Sequence, residues 1–486
     1  MSNPENSAVA PRKLSVEKIG GTSMSAYEAV RDNIVLYPPS PYHRVLVVSA
    51  YAGVTNLLLE HKKSGQPGVY GLFARGDDSH EWQTALETLR AELLKINSEL
   101  FSDSEQLKQA NAFIDGRITD TRAVLLHLHE ICRHGHFELR EHLLTVRELL
   151  ASIGEAHSAY NLSELLKNHG VQTAFIDLTG WDRKEILPLD EHIAQAFAEV
   201  DFATTLPIAT GYAHCAENLI STFDRGYSEM TFSRIAVILQ ASEAVIHKEF
   251  HLSSADPRLV GEGNAVPIGK TNYDIADQLA NLGMEAIHPR AGKGLRQAQI
   301  ALRIMNTFEP EHHGTLITAD YKSAEPKVEI IAGMDSLIAV EIFDQEMMNQ
   351  QADYEAQILQ VTKRNKCDVV SKDFNANTIT LYIKGSLNKV SRATAQLEEI
   401  FPSAQITTSK LCMVSAMGSN MRVKGLLAQA IQSLADQGIN IEAMHQNTRQ
   451  VEMQIFVEAD QYATAVKALH QKLIEVHNHG NAIAKH

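Results

Sequence analysis

The chain is poor in cysteine and tryptophan and has no long apolar run, and each shortage excludes something. Its 486 residues include 4 Cys and 2 Trp. Cys132, Cys215, Cys367 and Cys412 lie far apart and form no C-x-x-C pair, which excludes a disulfide framework and predicts free thiols in a reducing compartment. The longest uncharged apolar-rich stretch, Val45 to Leu59, has about 15 residues and is too short to span a bilayer. Met1 to Lys13 is polar with no apolar centre, so residues 1–13 read as a flexible tail and not a signal peptide. Basic residues are also in deficit: 44 Lys+Arg against 59 Asp+Glu give a net charge of −15. That balance argues against nucleic acid and against an anionic membrane surface as partners. A cytoplasmic location is the expectation.

What is present is an ordinary globular composition, 44% hydrophobic and 21% charged, in a chain too long for one core. The stretch that organises it is Lys18-Ile19-Gly20-Gly21-Thr22-Ser23. It follows a β-type run and precedes a helix-like segment from Ser25 to Leu36. Adjacent glycines let backbone N–H groups approach an anion, and the hydroxyls of Thr22 and Ser23 add donors. Lys18 supplies an ammonium suited to a transferring phosphoryl group. A plain strand–turn–helix corner would use the same glycines, so the rest of the chain must decide.

Arg44 to Ser49 reads as a buried parallel strand, which puts Ser49 and Thr55 at its carboxyl end, where open α/β sheets bind ligands. Residues 77–150 change to helical spacing and read as an insertion of three or four helices. Its histidines match no zinc spacing, and no metal ligands are assigned. Ser152-Ile153-Gly154-Glu155 reads as the opening of a further helix, where Glu155 could complement the dipole or hold a substrate ammonium. Arg225 can clamp a carboxylate through two hydrogen bonds, with Ser228 and Thr231 at a helix start beside it. Gly263 to Thr271 resembles a P-loop with one residue too many and no strand before it, and is rejected. Strand and helix signals alternate from Leu14 to Ile317, which predicts a mostly parallel sheet covered on both faces.

After a polar linker, Thr318 to Lys327, two units repeat at an offset of about 74 residues, each reading β-α-β-β-α in a ferredoxin-like pattern. Residues 328–402 and 403–486 are the expected domains, following a first region of 14–320.

Taken together these stretches resemble aspartate kinase, of the amino acid kinase family, over nearly the whole chain. Lys18 to Met24 is similar to K-F-G-G-T-S-V, Val47 to Asn56 to V-V-S-A-x-A-G-V-T-N, and Ser152 to Glu155 to S-x-G-E. Gly226 to Thr231 stands where the family has R-G-G-S-D-Y-T, Ala255 to Arg258 matches A-D-P-R, and Ile287 to Pro289 matches the end of G-A-K-V-L-H-P. The C-terminal repeat looks like paired ACT domains. The segment from Asp224 to Arg258 looks like the aspartate kinases associated with ectoine biosynthesis.

The resemblance implies an α/β amino acid kinase fold followed by two α+β ACT domains. It implies transfer of the ATP γ-phosphoryl group, with Mg²⁺, to the side-chain carboxylate of L-aspartate, feeding lysine, threonine and methionine synthesis. Lys18 would neutralise charge on the phosphoryl group and Glu229 would organise Lys18. Gly20, Gly21, Thr22, Ser23, Ser49, Lys248, Asp256 and Arg258 would bind the nucleotide. Arg225, Glu155, Thr55 and Ser228 would hold aspartate. Asn440 and Ile441 would lie at an effector site for threonine or lysine, and the ACT domains would pair chains into a dimer or larger assembly. The chain also departs from the family: Tyr227 replaces a glycine, Glu229 an aspartate, His247 to Phe250 a W-T-D-V segment, and Glu285 a lysine. Two rival readings are an amino acid kinase acting on glutamate and a non-catalytic amino-acid sensor.

Overall fold

A computed structural model describes residues 14–61, 64–181, 184–223, 226–284 and 286–476. They divide into two compact units. The first draws on residues 14–251 and 287–319, the second on residues 252–286 and 320–476.

The first unit is built on a sheet of β1 (Ser15–Ile19), β2 (Arg44–Val48), β3 (Thr173–Ile176), β4 (Leu206–Thr210), β5 (Glu243–Lys248), β7 (Ala301–Asn306) and β8 (Thr315–Thr318), with β6 (Lys270–Asn272) in the second unit. The order β3-β4-β2-β1-β5-β7-β8 makes β1 central. All neighbours are parallel except β7 and β8. Every residue of β2 is buried, as the continuous apolar run predicts for a strand covered on both faces. Helix Leu139–Lys167 packs on β2, β3 and β4, and helix Tyr227–Ile238 packs on β1, β2 and β5.

The helical insertion is present as Glu81–Leu100, Ser104–Cys132 and the start of Leu139–Lys167. In the first of these, Trp82, Leu86, Leu89 and Leu93 form the buried stripe, and Asn97 continues it. Asp103 caps the second by accepting from the Glu105 and Gln106 N–H groups. The third corrects one expectation. Glu155 does not open a new helix but sits in the middle of a 29-residue one, because no proline or cap interrupts the chain between Leu139 and Lys167. Its role therefore owes nothing to a helix N-terminus.

The second unit carries a six-stranded antiparallel sheet of β9 (Ile330–Phe343), β10 (Asp368–Phe374), β11 (Thr378–Lys384), β12 (Gln405–Met417), β13 (Ala443–Gln446) and β14 (Glu452–Glu458) in the order β10-β11-β9-β12-β14-β13. The two long strands β9 and β12 pair along their lengths, with an irregularity between Leu411 and Met413. One end of that pair carries β11 and β10, the other β14 and β13, so each ferredoxin-like half borrows its fourth strand from the other's long strand. The two halves of the sequence repeat thus share strands across one sheet. Residues of 252–286 join this unit's cores: Ala255 and Val260 pack with Leu469, and Ile275 and Leu279 with Met413.

Candidate active site

Lys18 is the penultimate residue of β1, paired in register with Val47 of β2 and Ile246 of β5. Alternation along the strand sends Lys18 to one face of the sheet and Glu17 to the other. Lys18 is buried, and its Nζ lies 3.6 Å from Glu229 Oε1. Glu229 stands in the first turn of helix Tyr227–Ile238, and its other oxygen accepts the backbone N–H of His288 at 2.5 Å. The carboxylate is held from two sides, so it can fix where the ammonium points.

Glu155 approaches from helix Leu139–Lys167 and is 2% exposed. Burial pushes its carboxyl up to about 8, against the pull of the Lys18 charge and of backbone N–H groups of Tyr212 and Ala50. Its Oε2 is buried and has no hydrogen-bond partner. A Cβ placed on Gly211, just past β4, would fall 2.7 Å from the Ser228 Cβ, 2.9 Å from the Val48 carbonyl and 3.0 Å from Glu155 Oε2. Glycine is what allows the ends of β2 and β4, Glu155 and Ser228 to converge. An orphaned carboxylate oxygen in such a place can accept from a donor outside the chain.

The glycine pair is equally constrained. A Cβ on Gly21 would come within 2.6 Å of the Ala50 carbonyl, so the Gly20–Gly21 corner can lie against the loop after β2 only without a side chain. Thr22 is exposed. Ser23 is buried with its hydroxyl 2.9 Å from that of Thr307. Ser49 is half-buried; its carbonyl accepts the Ser158 hydroxyl at 2.9 Å, which ties the end of β2 to the Glu155 helix. Thr55 is half-buried in helix Val54–Leu58, which opens after Gly53 at φ +85°. Lys248 is the half-buried last residue of β5.

The structure therefore brings Lys18, Glu229, Glu155 and Ser228 together, with the Gly20–Gly21 corner and Ser49 at the ends of neighbouring strands. Arg225 and Glu285 lie outside the described residues. Asp256 and Arg258 belong to the second unit, where Asp256 caps helix Pro257–Val260 and pairs with Arg258 at 2.6 Å. Asn440 and Ile441 precede β13; Asn440 is exposed and donates to Glu442 at 2.7 Å, and Ile441 packs on the core of the second half. Among the described residues no group of three or more His, Cys, Asp or Glu side chains is placed to hold a metal ion, the insertion's histidines included. No helix among them is long and apolar enough to cross a membrane.

Sequence reasoning missed two contributors. Gly211 was visible only as the end of a strand, and the backbone N–H of His288 carries no side-chain signal at all. It missed also the layer beneath. On the opposite face from Lys18, Arg44 donates to both oxygens of Glu17 at 2.6 and 2.5 Å, and His247 lies 2.9 Å from the same carboxylate. Burial opposes ionisation of Glu17, but Arg44 and His247 outweigh it and hold the carboxyl far below its usual range.

With this geometry in view, comparisons with known proteins give the class first. The amino acid kinase family pattern matches residues 13–306 and an ACT domain pattern matches residues 414–473. The chain belongs to the amino acid kinase family. Within that family it is an aspartate kinase: it is 54% identical over 472 residues to "Aspartate kinase Ask_Ect" of Stutzerimonas stutzeri, covering 96% of this chain and 99% of that one. The aspartokinase of Candida albicans is 24% identical over 98% of this chain and 93% of its own. In fold the chain is similar to E. coli aspartokinase III, solved in complex with lysine and aspartate (TM-score 0.72, 19% identity, 95% of this chain and 99% of that one) and in complex with aspartate and ADP (TM-score 0.68, 19% identity, 95% and 100%).

Proposed function

We propose that the site divides its work between Lys18, which serves the phosphoryl group, and Glu155, which receives the α-ammonium of aspartate. The observation that carries this reading is the unpartnered Glu155 Oε2 beside Gly211 and Ser228, in a site that also holds the Lys18–Glu229 ion pair. The acceptor of the γ-phosphoryl group is the aspartate side-chain carboxylate, ionised at pH 7, so no general base is needed. Catalysis rests on positioning and charge neutralisation. Lys18 meets negative charge spreading over the phosphoryl oxygens, and Glu229 holds the ammonium in place while His288 holds Glu229. Arg225 clamps the α-carboxylate, and Thr55 and Ser228 orient the substrate.

Gly20, Gly21, Thr22, Ser23 and Ser49 line the phosphate side, with Lys248 as a further nucleotide contact. Glu229 would help hold a Mg²⁺ ion at the phosphates, its carboxylate being an oxygen donor that suits a hard cation. When bound the ion neutralises phosphoryl charge. We place the chain in the cytoplasm, in ectoine or aspartate-family amino acid synthesis, as a homo-oligomer paired through its ferredoxin-like halves. Threonine or lysine would act there near Asn440 and Ile441. The test is hydroxylamine trapping of acyl phosphate with aspartate and with glutamate, each with and without threonine and lysine. Hydroxamate from aspartate alone supports the reading; equal yield from glutamate overturns the substrate assignment.

A further inference from the structure

The helical insertion holds a polar network in its core. Asn97, fully buried, stands on the apolar stripe of helix Glu81–Leu100 where a leucine would fit the pattern. Its Oδ1 accepts from His157 Nε2 at 2.6 Å and from Asn161 Nδ2 at 2.8 Å, and its Nδ2 donates to Asn111 at 2.9 Å. His157 is fully buried, and burial drives its pKa down to about 3, so the ring is neutral and donates from Nε2. The network spans all three insertion helices. A buried polar group among apolar neighbours costs stability unless satisfied, and its best-attested use is to fix the register of packed helices.

The register fixed here is that of the helix carrying Glu155. His157 lies two residues beyond Glu155 and presents its ring edge-on to Tyr51 at 5.4 Å between centroids. Asn161 interacts with the Tyr51 phenol. Tyr51 follows Ala50, whose backbone donates to Glu155, and Ser158 bonds the Ser49 carbonyl. A Cβ on Gly154 would press within 2.8 Å of the Ala50 side chain and 3.0 Å of that of Val54. Residues 154–161 and the 49–54 loop are thus one closely fitted body, and Asn97 anchors it from the insertion.

We propose that Asn97 is a positioning residue of the aspartate side of the site: through His157, Asn161 and Tyr51 it sets where the Glu155 carboxylate stands against the loop after β2. The proposal rests on the reading of Glu155 as the ammonium receptor. Asn97→Leu, assayed in the full-length protein, is expected to raise the aspartate KM about tenfold or more, since small displacements of a positioning group are costly. The ATP KM should stay within about twofold. Asn97→Asp keeps the acceptor and should return the aspartate KM to within about threefold of wild type, a rescue that a volume or stability effect would not give. Leu86→Ala, a packing defect on the same helix, should lower Tm without moving the aspartate KM. Should Asn97→Leu fail to fold, Asn161→Leu removes one arm only and should raise the aspartate KM about threefold.

Unchanged aspartate KM in the folded variants, or equal rises in both KM values, overturns the proposal. Glu155→Gln run alongside separates the two levels. If it raises the aspartate KM and the Asn97 and Asn161 variants do not, the positioning role falls and the site stands; if it leaves the aspartate KM unchanged, the site assignment itself falls.

Discussion

Glu17 and Glu155 are both buried carboxylates of the first unit, and their surroundings drive them in opposite directions. Glu17 is held by two bonds from Arg44 and one contact with His247, and stays ionised far into acid. Glu155 has two backbone donors and a nearby Lys18 but one oxygen with no partner, and its carboxyl rises to about 8. A buried charge that the chain itself satisfies is part of the scaffold. One that the chain leaves half satisfied is stable only when neutral or when a ligand completes it. The contrast separates the layer that holds β1, β2 and β5 together from the layer we propose to meet substrate.

The strongest way to sharpen the contrast is at the reacting group. Lys18→Ala should lower kcat by about 10²–10³, because it removes charge stabilisation made in the transition state; hydroxamate production with aspartate measures it, and undiminished turnover would remove Lys18 from the mechanism. On the scaffold side, Glu17→Gln strands a buried Arg44 and should cost about 3–5 kcal/mol in urea unfolding. The Glu17 carboxyl is depressed on folding, so its contribution is present above the ordinary value of 4.5 and is lost as pH falls below it. Wild type should therefore lose stability in acid more steeply than the variant.

Glu155→Gln should do the reverse. It should raise the aspartate KM about 10–100-fold, by removing a charged partner from the ammonium, and leave the ATP KM within about twofold. Its carboxyl is raised on folding, so the stability tied to its protonated form is fully present below 4.5 and is lost as pH rises through about 8. The ligand-free variant should gain more Tm over wild type at pH 8.5 than at pH 5. Equal shifts at the two pH values would mean that Glu155 is not the strained group. The smallest effect on binding is expected from Gly211→Ala, whose Cβ crowds Ser228, the Val48 carbonyl and Glu155; a rise in aspartate KM of about threefold to tenfold, with about 1–3 kcal/mol lost in urea unfolding, would follow from that overpacking.

Much of this was legible in the residues. Lys18 with the glycine pair, Glu155, Ser228 and Glu229 stand out as candidates because their motifs keep order along the chain, and the apolar run of β2 announced a central parallel strand. What escaped has physical reasons. Glu155 read as the start of a helix because Ser152 and Gly154 look like punctuation, but Gly154 is there to let Ala50 and Val54 approach. The Glu17–Arg44–His247 layer joins three strands whose neighbourhood is decided by sheet order, not by spacing. The two ferredoxin-like halves exchange strands because β9 and β12 are long enough to serve both, which a repeat length does not reveal.

One measurement tests the central claim most directly. Aspartate binding should be followed by titration calorimetry at pH 7 in buffers of different ionisation enthalpy, for wild type and Glu155→Gln. With its carboxyl raised to about 8, Glu155 is mainly protonated in the empty site at pH 7 and must ionise to receive the ammonium, so wild type should release protons on binding that the variant does not. Identical proton counts for the two proteins would contradict the assignment of Glu155 as the group that holds the aspartate ammonium.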